Sequence, residues 1–246
     1  MTMLSLREVA GLVRRPWLLA AASVVALTLS ACGDSPTAAP VGWPEITVLP
    51  INVAPVAGDY AGDVLIGPQA TRPSQSKPFL DMGSFVQSPT GPKQIPNFEF
   101  YVRPTAVVVA PASGMIWRVV FHADFDDYAI LIRERNEGFL WVEIDHVSNP
   151  TVKAGDRVTA GQTIGTAGKT GDVRLGRVEL QVSDGNRQPV MHFCPNVAFA
   201  PSATADIEAR LSRLMQDIEA RNLNSNIYNE ATMFRVGCNM EKVVEG

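Results

Sequence analysis

The sequence contains few of the residues on which common catalytic centres depend. Its 246 residues include three histidines and three cysteines, and they hold no HExxH or HxH arrangement, no CxxC pair and no GxSxG motif. These patterns supply the ligands of many zinc sites and the nucleophile of α/β-hydrolases. Their absence argues against a histidine-rich zinc centre, a zinc finger and a serine nucleophile at a strand-to-helix elbow.

Positive charge and long apolar runs are also scarce. The formal net charge is −4, and removal of residues 1–31, which hold three arginines and one glutamate, takes it to −6. Nucleic-acid binding depends on clustered positive charge, so nucleic acid is not expected as a partner. The N-terminal apolar run, Trp17–Ala31, has 15 residues, whereas a membrane-spanning helix needs roughly 20.

The residues around this apolar run form a secretion pattern. Three arginines precede the run (Arg7, Arg14 and Arg15), and it ends in Leu29-Ser30-Ala31-Cys32. A basic region before a short apolar region is typical of a signal peptide, and the last four residues resemble the bacterial lipobox. That resemblance implies cleavage before Cys32 and a lipid on its thiol. We therefore expect residues 1–31 to be a lipoprotein signal peptide and the mature chain to be anchored by Cys32 to a membrane of the cell envelope, facing the periplasm or the exterior.

The two other cysteines, Cys194 and Cys238, would then lie in an oxidising compartment, where disulfides persist. We predict a disulfide between them. It would bracket a predicted helix and clamp the C-terminal segment, residues 201–246, onto the preceding domain.

The chain between the lipidated cysteine and the predicted domain is rich in proline. Residues 33–96 hold 11 of the 18 prolines, with one short strand-like run, Glu45–Leu49. Proline fixes φ and removes a backbone donor. Residues 32–96 are therefore predicted to be mainly an extended tether.

Residues 97–200 have a different texture. Short β-branched runs separated by turn residues predict an all-β domain, an antiparallel sandwich or a barrel-like fold; the runs are Ala106–Ala110, Met115–His122, Tyr128–Glu134, Phe139–Asp145 and Arg177–Ser183. After Pro201 the apolar period becomes helical, with Ile207, Leu211, Leu214 and Ile218 on one stripe. The spacing predicts one C-terminal amphipathic helix packed on the sheet.

Glycines recur at regular spacing in the second half of this domain. The segment VKAGDRVTAGQTIG (residues 152–165) is followed by GKTG (168–171), and APASG (110–114) lies upstream. These glycines allow two sharp turns while Val158 and Ile164 face inward. Together the three segments resemble the LytM-like, M23-type zinc endopeptidase domain of cell-wall lysis proteins, over roughly residues 95–190.

The resemblance also implies which positions would form a catalytic site. In that family, a histidine, an aspartate four residues further on and the second histidine of an HxH strand bind zinc, and two other histidines serve the activated water. The ligand positions here hold Ile95, Glu99 and Glu179, and the other two hold Arg177 and His146. Isoleucine has no donor atom and arginine is permanently charged, so His146 is the one family residue left unchanged.

These replacements predict an ion pair where the family has a metal. Arg177 and Glu179 lie two residues apart on a predicted strand, so both point to the same face. We expect Arg177 to pair with Glu179 and with Glu99 as a salt-bridged remnant of the site, with no metal and no other cofactor bound.

A second polar group follows the strand Met115–His122. Asp124, Asp126 and Asp127 come directly after His122, but they lack the DxDxDG pattern and distal glutamate of a calcium loop. We expect a solvated loop here.

The leading functional hypothesis is a catalytically inactive M23-like lipoprotein that binds peptidoglycan or regulates a cell-wall hydrolase. One alternative is an active zinc endopeptidase that cuts peptidoglycan cross-links, with Glu99, Glu179, His146 and an unrecognised ligand around a zinc cofactor. A lower-ranked alternative is an efflux-adaptor-like protein, because such lipoproteins share the APxxG and GxxVxxGQ segments. That class interrupts its barrel with a long helical hairpin, whereas residues 114–152 here have strand patterns.

Overall fold

The computed structural model describes residues 42–67, 77–88, 91–135, 138–229 and 239–240. The predicted signal peptide, Cys32 and Cys238 lie outside these residues. The strands are β1 (Val56–Ala57), β2 (Tyr60–Ala61), β3 (Val64–Leu65), β4 (Phe79–Leu80), β5 (Phe85–Ser88), β6 (Gly91–Gln94), β7 (Phe98–Val102), β8 (Val107–Val109), β9 (Gly114–His122), β10 (Asp127–Arg133), β11 (Leu140–Ser148), β12 (Arg157–Val158), β13 (Thr163–Lys169), β14 (Gly176–Asp184), β15 (Met191–Phe193) and β16 (Asn239–Met240).

One large antiparallel sheet dominates the described part of the chain. Its main path runs β1-β2-β3-β7-β14-β13-β11-β10-β9-β12, and β11 also pairs with β14. Strand β4 pairs with β7, β8 with β13, and β15 with both β14 and β16, while β5 and β6 form a separate hairpin. The sheet is open, and the all-β, antiparallel class predicted from the sequence is confirmed. Strands β9 to β11 occupy the stretch where an efflux adaptor would have a helical hairpin, which argues against that alternative.

Strand β14 separates the apolar core from a polar face. Val178, Leu180 and Val182 are buried in the main core, together with Phe98 and Phe100 of the neighbouring β7. Because side chains alternate along a strand, Arg177 and Glu179 project to the opposite face. The sheet therefore brings charged residues from β7 and β14 together on one side.

The predicted tether is wrong for the described residues between 42 and 96. Trp43, Ile46, Leu49, Ile51 and Val53 are buried in the same core as the sheet. The Ile46 N–H donates to the carbonyl of Ala198 at 2.7 Å, and the Trp43 indole donates to the carbonyl of Ser183 at 3.2 Å. Apolar residues lie between the prolines, and three of them occupy alternate positions. Burial of their side chains stabilises the packing of this segment against the sheet.

The C-terminal helix α1 spans Thr204–Asn222, as the apolar spacing predicted. Its buried residues are Ile207, Leu211, Leu214, Met215 and Ile218. Arg210 pairs with Asp206 at 2.8 Å and donates to the carbonyl of Val53 at 3.2 Å. The helix thus also contacts the segment that was expected to be a tether. No helix among the described residues is both long and apolar enough to cross a membrane.

Cys194, directly after β15, is disulfide-bonded. Strand β16, two residues long, pairs with β15. The predicted partner, Cys238, lies outside the described residues, so the Cys194–Cys238 pairing stays a prediction.

Candidate functional site

A β-bulge in strand β11 forms the centre of the charged face. Ile144 pairs with Ile130 and Val147 pairs with Tyr128, so two residues, Asp145 and His146, stand opposite Ala129 alone. His146 has φ of 58°, and its backbone N–H donates to Asp145 Oδ1 at 2.6 Å. An extra residue of this kind redirects side chains and is common beside functional sites. Here it brings Asp145 and His146 to the same cluster.

Gly168 of strand β13 leaves room for this bulge. A Cβ added at Gly168 would lie 2.6 Å from Asp127 Oδ2 and 2.7 Å from the carbonyl oxygen of His146. Any side chain at this position would push these groups away. Gly168, the first glycine of the GKTG segment, is therefore required because β13 passes close to Asp127 and His146.

His146 is held at both ring nitrogens. Its Nδ1 lies 2.8 Å from Asp127 Oδ2, and its Nε2 lies 3.2 Å from Glu179 Oε1. Burial acts to lower the pKa of His146, but the hydrogen bonds to Asp127 and Glu179 outweigh it and raise the pKa to about 9. With this raised pKa, His146 is an imidazolium at neutral pH that donates both N–H groups to carboxylates, although Arg177 Nη2 lies 3.1 Å from its Nδ1 and acts to lower the pKa.

Arg177 lies among the carboxylates of β7 and β14. Its Nη1 is 3.7 Å from Glu99 Oε1 and its Nε is 3.8 Å from Glu179 Oε1. Glu99 and Glu179 face each other in the register of the two strands, and the Tyr101 hydroxyl donates to Glu99. Burial and the nearby charge of Glu179 raise the pKa of Glu99 to about 7, although Arg177 and Tyr101 oppose that shift.

The structure brings together four of the five residues that the sequence placed at the remnant site. Glu99, His146, Arg177 and Glu179 form one cluster, and the expected contacts of Arg177 with both glutamates are present. Ile95 instead packs in an apolar cluster with Leu65, Leu80, Tyr101 and Leu175. Tyr101 of this apolar cluster donates its hydroxyl hydrogen to Glu99.

Sequence reasoning missed three members of this site. Asp127, expected in a solvated loop, is 0 % exposed and hydrogen-bonds His146. Asp145 accepts from His122, whose Nδ1 lies 3.2 Å from Asp145 Oδ1. This hydrogen bond raises the pKa of His122, and it lowers the pKa of Asp145 against the effect of burial. The burial of Asp127 did have a signal in the sequence. Asp127, Ala129 and Leu131 are alternate residues of β10, and alternate residues of a strand point to the same face, so the aspartate is predicted to share the face of the two apolar residues.

An aromatic side chain covers the cluster. The Phe125 ring stands edge-on to the His146 ring at 5.1 Å, and the Arg177 guanidinium carbon lies 5.0 Å from the Phe125 ring centre. Phe125 is still 49 % exposed. A groove of about 880 Å³ lies elsewhere, at the Leu140 end of β11, and is lined by residues that include Trp43, Arg133 and Phe139.

Comparison with known proteins finds one family over this region. Residues 98–193 match the sequence model of Peptidase family M23. The matched stretch contains Glu99, His146, Arg177 and Glu179, but not Ile95. No curated protein matches the chain.

Several solved structures are similar to the chain. The antimicrobial peptidase lysostaphin from Staphylococcus simulans is 27 % identical over 36 % of this chain and 37 % of its own, with a TM-score of 0.32. The lysostaphin catalytic domain is 24 % identical over 43 % of this chain and 78 % of its own, with a TM-score of 0.37. The catalytic domain of the prophage-encoded M23 protein EnpA from Enterococcus faecalis is 22 % identical over 50 % of this chain and 94 % of its own, with a TM-score of 0.37. The chain thus spans little more than a third of the full lysostaphin chain.

Proposed function

We propose that the protein binds peptidoglycan without cleaving it, because residues 98–193 match the model of Peptidase family M23. The family match supports a peptidoglycan-related function. The non-catalytic part of the proposal depends on the residues that occupy the family's zinc positions.

One observation carries the proposal: the Arg177 guanidinium lies between Glu99 and Glu179, within 4 Å of a carboxylate oxygen of each. A guanidinium is charged at all relevant pH values and has no lone pair for a metal. Ile95 offers no donor atom, and Glu99 already accepts from Tyr101. The residues at the family position therefore do not fit a catalytic zinc, and no hydrolytic step can be assigned to them.

The surface over the cluster has features suited to binding a peptide. Phe125 presents a half-exposed aromatic face beside Arg177. Aromatic rings contribute large contact areas at interfaces, and guanidinium groups bind carboxylates. The peptides of peptidoglycan carry both apolar side chains and carboxylates, so this pairing of groups matches their chemistry.

The test uses the full-length protein in mild detergent, mixed with purified cell-wall sacculi and sedimented. The protein is expected in the pellet, and mass spectrometry of muropeptides incubated with it and zinc should show no new fragments. Zinc-dependent fragments would overturn the non-catalytic proposal. Failure to sediment would overturn binding.

A pair of phenylalanines tests where binding occurs. Phe125→Ala should weaken sacculus binding about fivefold or more, because it removes the aromatic face over the cluster. Phe139→Ala is the matched control, since Phe139 is similarly exposed (55 %) but lies beside the opposite end of β11. An equal loss in both variants, or no loss in Phe125→Ala, would contradict binding at the cluster.

A further inference from the structure

We propose that the groove at the Leu140 end of β11 binds an apolar organic molecule through its carboxylate, with Arg133 as the residue that holds the carboxylate. Such a group is found on small organic acids and at the C-terminus of a peptide. The inference goes beyond the proposed peptidoglycan binding and does not depend on it. Strand residues rise about 3.3 Å each, so Leu140 lies about 20 Å along β11 from His146.

The N-terminal segment of the described chain builds one wall of this groove. The volume of about 880 Å³ lies within the range of ligand pockets, roughly 300–1,000 Å³. Five of the lining residues precede the stretch 98–193 that matches Peptidase family M23, and they are Gly42, Trp43, Pro44, Glu45 and Thr47. The groove therefore depends on a segment outside the family match and is separate from the charged cluster.

Arg133, the last residue of β10, is a buried cation that lines the groove. The residue is 8 % exposed, and its Nε atom has no hydrogen-bond partner among the described residues. Its guanidinium carbon lies 3.2 Å from the centre of the Trp117 ring, and that of Arg118 lies 4.1 Å from the same ring. Burial and the charge of Arg118 lower the pKa of Arg133. An oxyanion would satisfy the buried N–H and balance this charge, which an aromatic ring alone does not.

The neighbouring acidic residues of the groove are paired with other arginines. Glu134 pairs with Arg135 at 3.9 Å, and Asp184 pairs with Arg187 at 3.8 Å. In the part of the chain that the structure describes, no carboxylate forms an ion pair with Arg133. Buried arginines are usually paired with an anion. The charge that this groove lacks is therefore a negative one beside Arg133.

The rest of the lining indicates which anion fits. A planar guanidinium matches the geometry of both carboxylates and phosphates. Three carboxylates also line the groove, those of Glu45, Glu134 and Asp184. They would repel a doubly charged phosphate more strongly than a singly charged carboxylate. Apolar side chains complete the walls, those of Trp43, Phe139 and Leu140, and they suit a ligand whose body is apolar.

The experiment measures ligand binding to the full-length protein in mild detergent by isothermal titration calorimetry. Two acids are compared with their uncharged amides: 3-phenylpropionate with 3-phenylpropionamide, and N-acetyl-dialanyl-phenylalanine with its C-terminal amide. At least one acid should bind about tenfold more tightly than its amide, because a carboxylate forms charge-assisted hydrogen bonds with a guanidinium. Equal affinity of acid and amide in both pairs, or no binding of either acid below about 10 mM, would overturn the site.

Two arginine variants locate the carboxylate. Arg133→Met should abolish the preference for the acid, and it should fold because it replaces an unpaired buried charge with an apolar side chain of similar length. Arg135→Met is the matched control: Arg135 lines the same groove, but it is paired with Glu134 and its side chain is 79 % exposed. The control should change the affinity for the acid less than about twofold. An equal loss in both variants would overturn the assignment to Arg133.

A measurement on the unaltered protein keeps the test independent of the variants. The nuclear magnetic resonance signals of the Trp43 and Trp117 indole N–H groups should shift saturably with the acid, because one indole lines the groove and the other stacks on Arg133. Binding of the acid without a shift of either signal would place it elsewhere and overturn the site.

The two acids also distinguish the sources of the carboxylate. Tighter binding of the peptide acid would support a peptide C-terminus as the ligand, and equal or tighter binding of 3-phenylpropionate would support a small organic acid. Arg133→Met should still sediment with sacculi, because that binding is proposed at Phe125. Loss of acid binding and loss of sacculus binding are therefore separate results, and each contradicts a different proposal.

Discussion

The charged cluster holds two kinds of cation, which balance its carboxylates in different ways although Arg177 Nη2 lies 3.1 Å from His146 Nδ1. On one side, Arg177 supplies a permanent positive charge to Glu99 and Glu179. On the other side, Asp127 and Asp145 face histidines, which supply positive charge only when they are protonated. The positive charge of Arg177 is present at every pH near neutrality, whereas the positive charge of the histidines depends on their protonation.

This difference indicates which charges of the cluster are permanent and which can change with conditions. An arginine held between buried carboxylates excludes a metal from its own position, because like charges repel at short distance. A histidine held between carboxylates gains or loses its charge with pH. The charge of Arg177 is therefore expected to act as fixed structure, and the charge of His146 to respond to pH.

The largest expected effect comes from removing the permanent cation. Arg177→Met should lower the free energy of unfolding by about 3–5 kcal/mol at pH 8, because it leaves the Glu99 and Glu179 carboxylates without their buried partner. Urea denaturation measures the change. Part of the loss should be recovered at pH 5.5, where Glu99, whose pKa is already raised to about 7, can take up a proton.

Arg213→Met is the matched control for this variant. Arg213 pairs with Asp217 at 3.0 Å along α1, and the Arg213 side chain is 66 % exposed whereas that of Asp217 is 15 % exposed. An exposed helix pair contributes less than about 1 kcal/mol. If Arg177→Met destabilised the protein no more than Arg213→Met, the two groups of charges would not differ as described.

The next effect is the pH dependence of the His146 side, measured with chelator present. The pKa of His146 rises from 6.5 to about 9 on folding, so the folded state binds the proton more tightly. Its contribution to stability is full below pH 6.5 and is lost as the pH rises through about 9, by on the order of 3 kcal/mol. Urea titrations at pH 6.5 to 9.5 should show this decline.

His146→Asn isolates the contribution of that residue. Glu99, whose pKa is also raised, loses its contribution as the pH rises from 4.5 through about 7, and this decline should remain in the variant. The steeper fall up to pH 9 should disappear. An unchanged slope above pH 7.5 would contradict the imidazolium held by Asp127 and Glu179.

The sequence predicted those residues of the site whose positions follow from regular strand geometry. Arg177 and Glu179 share a face because strands alternate, and Glu99 joins them at one site as the motif alignment implied, where it is the cross-strand partner of Glu179. Asp145 was not predicted, because a bulge breaks that alternation and no residue type specifies where the bulge falls. Asp127 was missed because its burial depends on packing against Gly168 and His146, which are distant in sequence.

The predicted tether shows a similar limit of local patterns. Eleven prolines in residues 33–96 indicated an extended chain, and proline does restrict regular strands. An extended chain can nevertheless pack, and Leu49, Ile51 and Val53 do so at alternate positions. The alternation of apolar residues therefore predicted burial better than the proline content did.

The smallest effect tests the glycine that connects the predicted motif to the site. Gly168→Ala should lower the free energy of unfolding by about 1–3 kcal/mol, because the added methyl group would overlap Asp127 Oδ2 and the backbone of His146. Gly171→Ala, three residues along the same segment, is the control: a Cβ there meets nothing within 4 Å, and the change should stay within about 0.5 kcal/mol. The nuclear magnetic resonance signals of the His146 ring should shift in the first variant and remain in place in the second. Equal behaviour of the two variants would mean that Gly168 serves only the turn, and that the Asp127 side of the cluster does not depend on close packing against β13.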